Sequence, residues 1–114
     1  MFIKNLLLIK QYDEAERHII HSDTINYSSY NLAQFDIYNG ILQEKKYHNN
    51  TLAEQYYLKG IREISNFGYI GNEFEAYGYF GLSRISKQSD DNTSSKLYLK
   101  KAIDLADFKN VDFN

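Results

Sequence analysis

Glu14, His18 and His21 fall on one face of a helix predicted over residues 13–23, a spacing that can hold a metal ion. No further His or Cys joins them. His48 is the only other histidine, it falls in a predicted loop, and the chain has no cysteine. The three are therefore read as exposed or packed side chains, with no metal. Catalysis has less to build on. Gly68 and Gly71 form no phosphate-binding fingerprint, no serine stands in a nucleophile-elbow setting, and a Cys nucleophile is absent. Asp90 and Asp91 share a predicted turn and are read as solvated. Lys96, Lys100 and Lys101 make a basic edge on the last predicted helix, also read as a solvated face. The expectation is a non-enzymatic chain without a cofactor.

Composition narrows the class. At 114 residues the chain is one small domain or a piece of a longer array. A chain of this size buries roughly two-thirds of its unfolded surface, so it can fold without disulfides. A net charge of −2 and a pI near 5.9 argue against a nucleic-acid partner and give no reason to expect a membrane surface. The start, "MFIKNLLLIK", has an apolar run of only four residues, Leu6 to Ile9. A signal needs about 7–15 such residues and a membrane span about 20. A cytoplasmic location is expected. Proline is absent, tyrosine occurs 11 times and phenylalanine 7 times. Without proline, which breaks helix interiors, long periodic segments predict an all-α chain.

Five or six helices are predicted. The first covers 2–10. The second, 13–23, opens with the capping-box pattern Asp13-x-x-Glu16 and is followed by a turn at "DTINYSS". A long helix over 29–46 carries Leu32, Phe35, Tyr38, Asn39 and Leu42 on one stripe, and "YHNN" interrupts it. Thr51-x-x-Glu54 opens the next, whose stripe is Ala53, Tyr56, Tyr57, Gly60, Ile61 and Ile64. Gly68 and Gly71 follow its end, where left-handed termination is common, and "NFGYIGN" reads as a loop. Asn72-x-x-Glu75 begins a helix to about Gln88, "SDDN" turns, and 93–108 is the last helix, with Ser95, Leu99, Ala102 and Ala106 on one side.

Three of these helices repeat a small residue seven positions apart: Ala15/Ser22, Ala53/Gly60 and Ser95/Ala102. Both members shift together along the chain. A larger apolar residue lies between them, Ile19, Tyr57 and Leu99. Small residues on a helix face admit a close neighbour, and repetition at 20–50 residues signals a stacked array. Two helices fit in each period, so the predicted fold is an α-solenoid of antiparallel helix pairs, about two and a half to three repeats. The units span about 1–25, 27–66 and 72–108 of a single domain.

The third unit resembles a tetratricopeptide repeat, with Tyr79-x2-Leu82-Ser83-x2-Ser86 followed by Ser95-x3-Leu99-x2-Ala102. The second has Phe35-x2-Tyr38-Asn39-x2-Leu42, then Ala53-x3-Tyr57-x2-Gly60, with one or two residues inserted near "KKYHNN". The first supplies "QYDEA". The closing proline is missing from every unit and the periods exceed the family's 34 residues. The longer periods look like those of bacterial tetratricopeptide regulators, including peptide receptors.

The resemblance implies a concave surface lined by first helices, and a protein- or peptide-binding role. Outward positions on those helices are then Tyr77, Phe80, Gly81, Arg84 and Lys87 in the third unit, Ala33, Asp36, Gly40 and Gln43 in the second, and Lys4 and Leu8 in the first. Tyr77, Phe80 and Arg84 stand out, because aromatic residues and Arg dominate interface hot spots. A clamp for a C-terminal carboxylate is not expected, since its paired Lys/Asn positions are missing. The apolar stretch "FIKNLLLI" is unusual for an end of an array. It points to a segment of a longer array or to pairing with another copy. The interaction module is the leading reading, and three rivals stay open: a sensor segment of a larger bacterial signalling or transcription regulator, an enzyme of helical architecture, which would need convergent buried titratable groups in a closed pocket, and a self-assembling unit.

Overall fold

The computed structural model describes residues 2–22 and 28–113, with side chains for 3–22 and 28–106. Among the described residues six α-helices follow one another: α1 (Phe2–Leu8), α2 (Tyr12–Ile20), α3 (Ser29–Lys45), α4 (Asn50–Ile64), α5 (Asn72–Gln88) and α6 (Asn92–Phe113). A 3-10 segment, Ser65–Gly71, joins α4 to α5. The described residues contain no strand. Most of the turn predicted at "DTINYSS" lies outside the described residues. The first described residue beyond them, Ser28, caps α3 by accepting from the Asn31 N–H.

A shared turn organises the helices into pairs. Lys10, His48 and Asp90 each have positive φ, 65°, 54° and 61°, and each lies between the two helices of a pair. In every pair the next residue (Gln11, Asn49, Asp91) is the one whose carbonyl receives the N–H of the small residue four later, Ala15, Ala53 or Ser95. The left-handed residue reverses the chain at the end of one helix. The residue after it starts the next. Such short connections make antiparallel neighbours. In the outer turns, Gln11 and Asp91 donate to the carbonyls of Leu6 and Ser86, five residues back. In the middle turn, Asn49 donates to Gln43, six back, so this turn is longer by one residue.

The same turns displace the predicted helix starts. The caps are Asn49, which accepts from Leu52 N–H, and Asp91, which accepts from Ser94 N–H, two residues ahead of the predicted starts. Asp13 and Thr51 therefore lie inside their helices, and no Asp13/Glu16 or Thr51/Glu54 box forms. Asn72 opens α5 but makes no side-chain cap. "NFGYIGN" is helical on both sides of a kink at Gly68 (φ 64°, ψ −145°), while Gly71 keeps an ordinary right-handed backbone. Tyr30 fastens this segment to α3, donating to the Ile70 carbonyl at 2.9 Å and meeting Phe67 edge-on at 5.2 Å.

The core sits where α3, α4 and α5 meet. Tyr57 of α4 lies in a slot between two glycines: a methyl at Gly40 of α3 would come within 2.7 Å of its ring, and one at Gly81 of α5 within 2.3 Å. Gly60 likewise faces Ile37, and Gly78 faces Ile61. Ile37, Tyr38, Leu42, Tyr57, Ile64 and Leu82 are fully buried. Because α3 touches α1, α2, α4 and α5, it is buried almost all round over 33–38. The α5/α6 contact is close enough for Ser83 and Ser95 to donate to each other's backbone carbonyls, at 2.8 and 3.0 Å. Ala15, Ala53, Gly60, Ser95 and Ala102 thus seat neighbouring helices. Ser22 instead falls past the end of α2, its hydroxyl turned back to the His18 carbonyl, because that helix stops at Ile20. Nor does Leu99 fill the place between Ser95 and Ala102. It is 41% exposed, and Tyr98, stacked on Tyr79 at 6.0 Å, packs there instead.

Candidate functional site

A cavity of about 220 Å³ opens between the first helices of the three pairs. From α3 come Tyr38, Ile41 and Lys45; from α5 come Tyr77, Phe80 and Arg84. Both sets are aromatic, apolar and cationic at i, i+3 and i+7, so each helix presents one continuous face to the cavity. Lys4, Leu7 and Leu8 of α1 close a third side, and Lys10 and Tyr12 stand at the turn into α2. The walls are apolar and aromatic. Among the described residues that line it, the charged members are all cations.

Two helix-to-helix clamps hold this frame. Glu44 of α3, with a side chain only 3% exposed, receives the Arg84 fork: Nε donates to Oε2 at 2.8 Å and Nη2 to Oε1 at 2.9 Å. The Tyr57 hydroxyl donates to the same Oε1 at 2.7 Å, and Lys45 Nζ lies 3.6 Å from Oε2. Burial works to raise the Glu44 pKa, but the hydrogen bonds from Arg84 and Tyr57 outweigh it and hold the carboxyl below its ordinary range. Burial also pushes the Tyr57 phenol up, so it remains a donor. On the other side, Lys4 of α1 pairs with Glu73 of α5 at 3.2 Å. Tyr77 is set by Phe74, edge-on at 5.9 Å, and Phe74 in turn meets Tyr38 at 5.9 Å. Burial raises the Tyr77 phenol.

Of the predicted groove residues, Tyr77, Phe80, Arg84, Lys4 and Leu8 come together here. Arg84 is a wall of the cavity, with much of its guanidinium already committed to Glu44. Lys87 is exposed and lies outside it, as does the half-buried Gln43. The remaining second-unit positions turn away. Ala33 is buried, Gly40 meets Tyr57, and buried Asp36 faces Lys59 of α4 at 3.7 Å. Gly81 is likewise taken by Tyr57. The cause is register: a helix turns 100° per residue, so a one-residue error over the insertion rotates the chosen face. Ile41 and Lys45 were missed for that reason. The matching Tyr-x2-apolar-x3-cation runs at 38–45 and 77–84 are the signal that finds them.

Elsewhere the chemistry is sparse. A second, polar cavity of about 230 Å³ is bounded by Glu44, Lys45, His48, Asn50 and Gln88, with Asn50 donating to Gln88 at 2.7 Å. Glu14, His18 and His21 are all exposed, and no three metal-ligating side chains gather among the described residues. Among those residues no helix is long and apolar enough to cross a membrane. Comparison of the chain with protein-family models, with curated proteins and with solved structures finds no match.

Proposed function

We propose that the chain is a non-catalytic helical-repeat module of the tetratricopeptide type, an α-solenoid whose groove takes a peptide segment of a partner protein. The observation that carries this reading is the cavity shared by the first helices α1, α3 and α5. Its aromatic walls rest on a packed frame, and a preformed pocket lowers the ordering cost of binding. Its size matters too. At about 220 Å³ it falls below the roughly 300–1,000 Å³ of small-molecule and cofactor sites, and it suits one or two anchoring side chains of a longer segment.

The test is selection of a displayed library of random twelve-residue peptides on the full chain. Selected peptides are then titrated against wild type and Phe80→Ala, with circular dichroism as the folding control. Peptides that bind wild type and lose about tenfold or more with Phe80→Ala support the reading. Peptides indifferent to that change place the site elsewhere, and a library that yields no binder removes it. A second reading is self-association, favoured by the exposure of Leu8, Ile9 and Ile20 at the α1/α2 end. Light scattering checks it: a Leu8→Lys/Ile9→Lys variant reduces the particle mass if this end joins copies.

A further inference from the structure

The charges around the cavity define its ligand further than its shape does. Among the described residues four cations line it and no acid does. Lys4 is balanced by Glu73. Glu44 carries one charge but faces two cations, Arg84 at 2.8 Å and Lys45 at 3.6 Å. Lys10 has no acidic partner among the described residues. An excess of two positive charges therefore surrounds this apolar pocket, in a chain whose net charge is −2. The asymmetry is built into the helix faces, because both α3 and α5 end their cavity-facing runs in a cation.

Resting on the peptide-binding reading, we infer that the groove selects a segment in which acidic side chains flank one large apolar anchor. The anchor fills the space between Leu7, Tyr38, Ile41 and Phe80. Its acidic neighbours reach Lys10 and Lys45. The cations come from four different elements, α1, the first turn, α3 and α5, rather than converging on one point. That spread matches carboxylates at several positions along a segment and does not match a single terminal carboxylate. Electrostatic complementarity of this kind governs selection and on-rate, and it weakens with salt.

The peptides selected above decide the matter. Expected are sequences carrying Asp or Glu within two positions of a Leu, Ile, Phe, Tyr or Trp. Made with a blocked C-terminus, they bind with an affinity that falls as salt rises. A Lys10→Asn/Lys45→Gln variant weakens them by about tenfold; Asn at position 10 tolerates the left-handed backbone and removes the charge. Selected peptides that are neutral or basic, or that bind the double variant as well as wild type, overturn the acidic-segment inference while leaving peptide binding in place. Binding that requires a free C-terminus also overturns it. So does competition by decanoate at concentrations similar to the peptide, which marks the pocket as a site for a fatty anion. A selection that yields nothing removes both readings together.

Discussion

Asp36 and Glu44 sit on the same helix, eight residues apart, and both are buried, yet their environments drive them in opposite directions. Glu44 meets a bidentate guanidinium, a phenol and a more distant ammonium. Asp36 meets one exposed lysine at 3.7 Å and the neighbouring Glu63. Burial pushes Asp36 up to about 6, Lys59 opposes this, and the hydrogen bond shared with Glu63 adds to the rise. Burial acts on Glu44 with the same sign and loses to its hydrogen bonds. Burial alone therefore does not set the state of a carboxylate. The number and geometry of donors aimed at it decide.

The largest break of this comparison is Arg84→Met, which leaves Glu44 buried without its fork. Removing one partner of a buried pair costs about 3–5 kcal/mol. Arg84 is 41% exposed, so water relieves part of the penalty and a loss of about 2–3 kcal/mol is expected in urea unfolding. Adding Glu44→Gln recovers much of that loss. Tyr57→Phe removes one donor and keeps the ring in its glycine slot, so about 1–2 kcal/mol is expected by the same measurement. Asp36→Asn is the smallest change, within about 1 kcal/mol of wild type at pH 7 and on the stabilising side, since it discharges a poorly paired buried group.

Acid titration sharpens the contrast. Asp36 holds its proton more tightly folded than unfolded, so its contribution is fully present below the unfolded value near 3.8 and is lost as pH rises through about 6. Glu44 does the reverse. Its contribution is present above its unfolded value near 4.5 and is lost as pH falls through its lower folded value. The advantage of Asp36→Asn over wild type is therefore greatest near pH 7 and shrinks between pH 6 and 4. The deficit of Glu44→Gln is greatest at neutral pH and closes only in stronger acid. Urea midpoints measured from pH 3.5 to 7.5 check both slopes, and parallel curves for the two variants would refute the assignment.

What was legible in the sequence is what is local. Helix pairing and most of the small-residue positions follow from residues within a turn or two of one another. Ala15, Ala53, Gly60 and Ala102 are all buried, and Gly60 lies against Ile37 of α3. Helix starts were misplaced because Asn49 and Thr51 are both competent caps, and the left-handed residue before Asn49 chooses between them. The cavity was half legible. Tyr77, Phe80 and Arg84 follow from periodicity on a helix with no insertion before its turn. Ile41 and Lys45 depend on counting one inserted residue correctly. The Glu44–Arg84 clamp joins residues 40 apart, and no local pattern announces it.

The Tyr57 slot has a consequence for how the molecule comes apart. One ring occupies the backbone clefts of two other helices and hydrogen-bonds the carboxylate that binds Arg84, so α3, α4 and α5 cannot separate one at a time. They form a single cooperative block. The α1–α2 hairpin joins the same core through Ile3, Leu6, Leu7 and Ala15, but its polar ties, Lys4–Glu73 and Lys46 with Asp13 and Glu16, lie nearer to water. The hairpin shares neither the glycine slot nor the Glu44 clamp, so it opens at lower free energy than the block. Amide exchange then separates two classes of protons, faster in α1 and α2 and slower in α3 to α5. The cavity lies on the seam between them, so any occupant slows exchange first in α1.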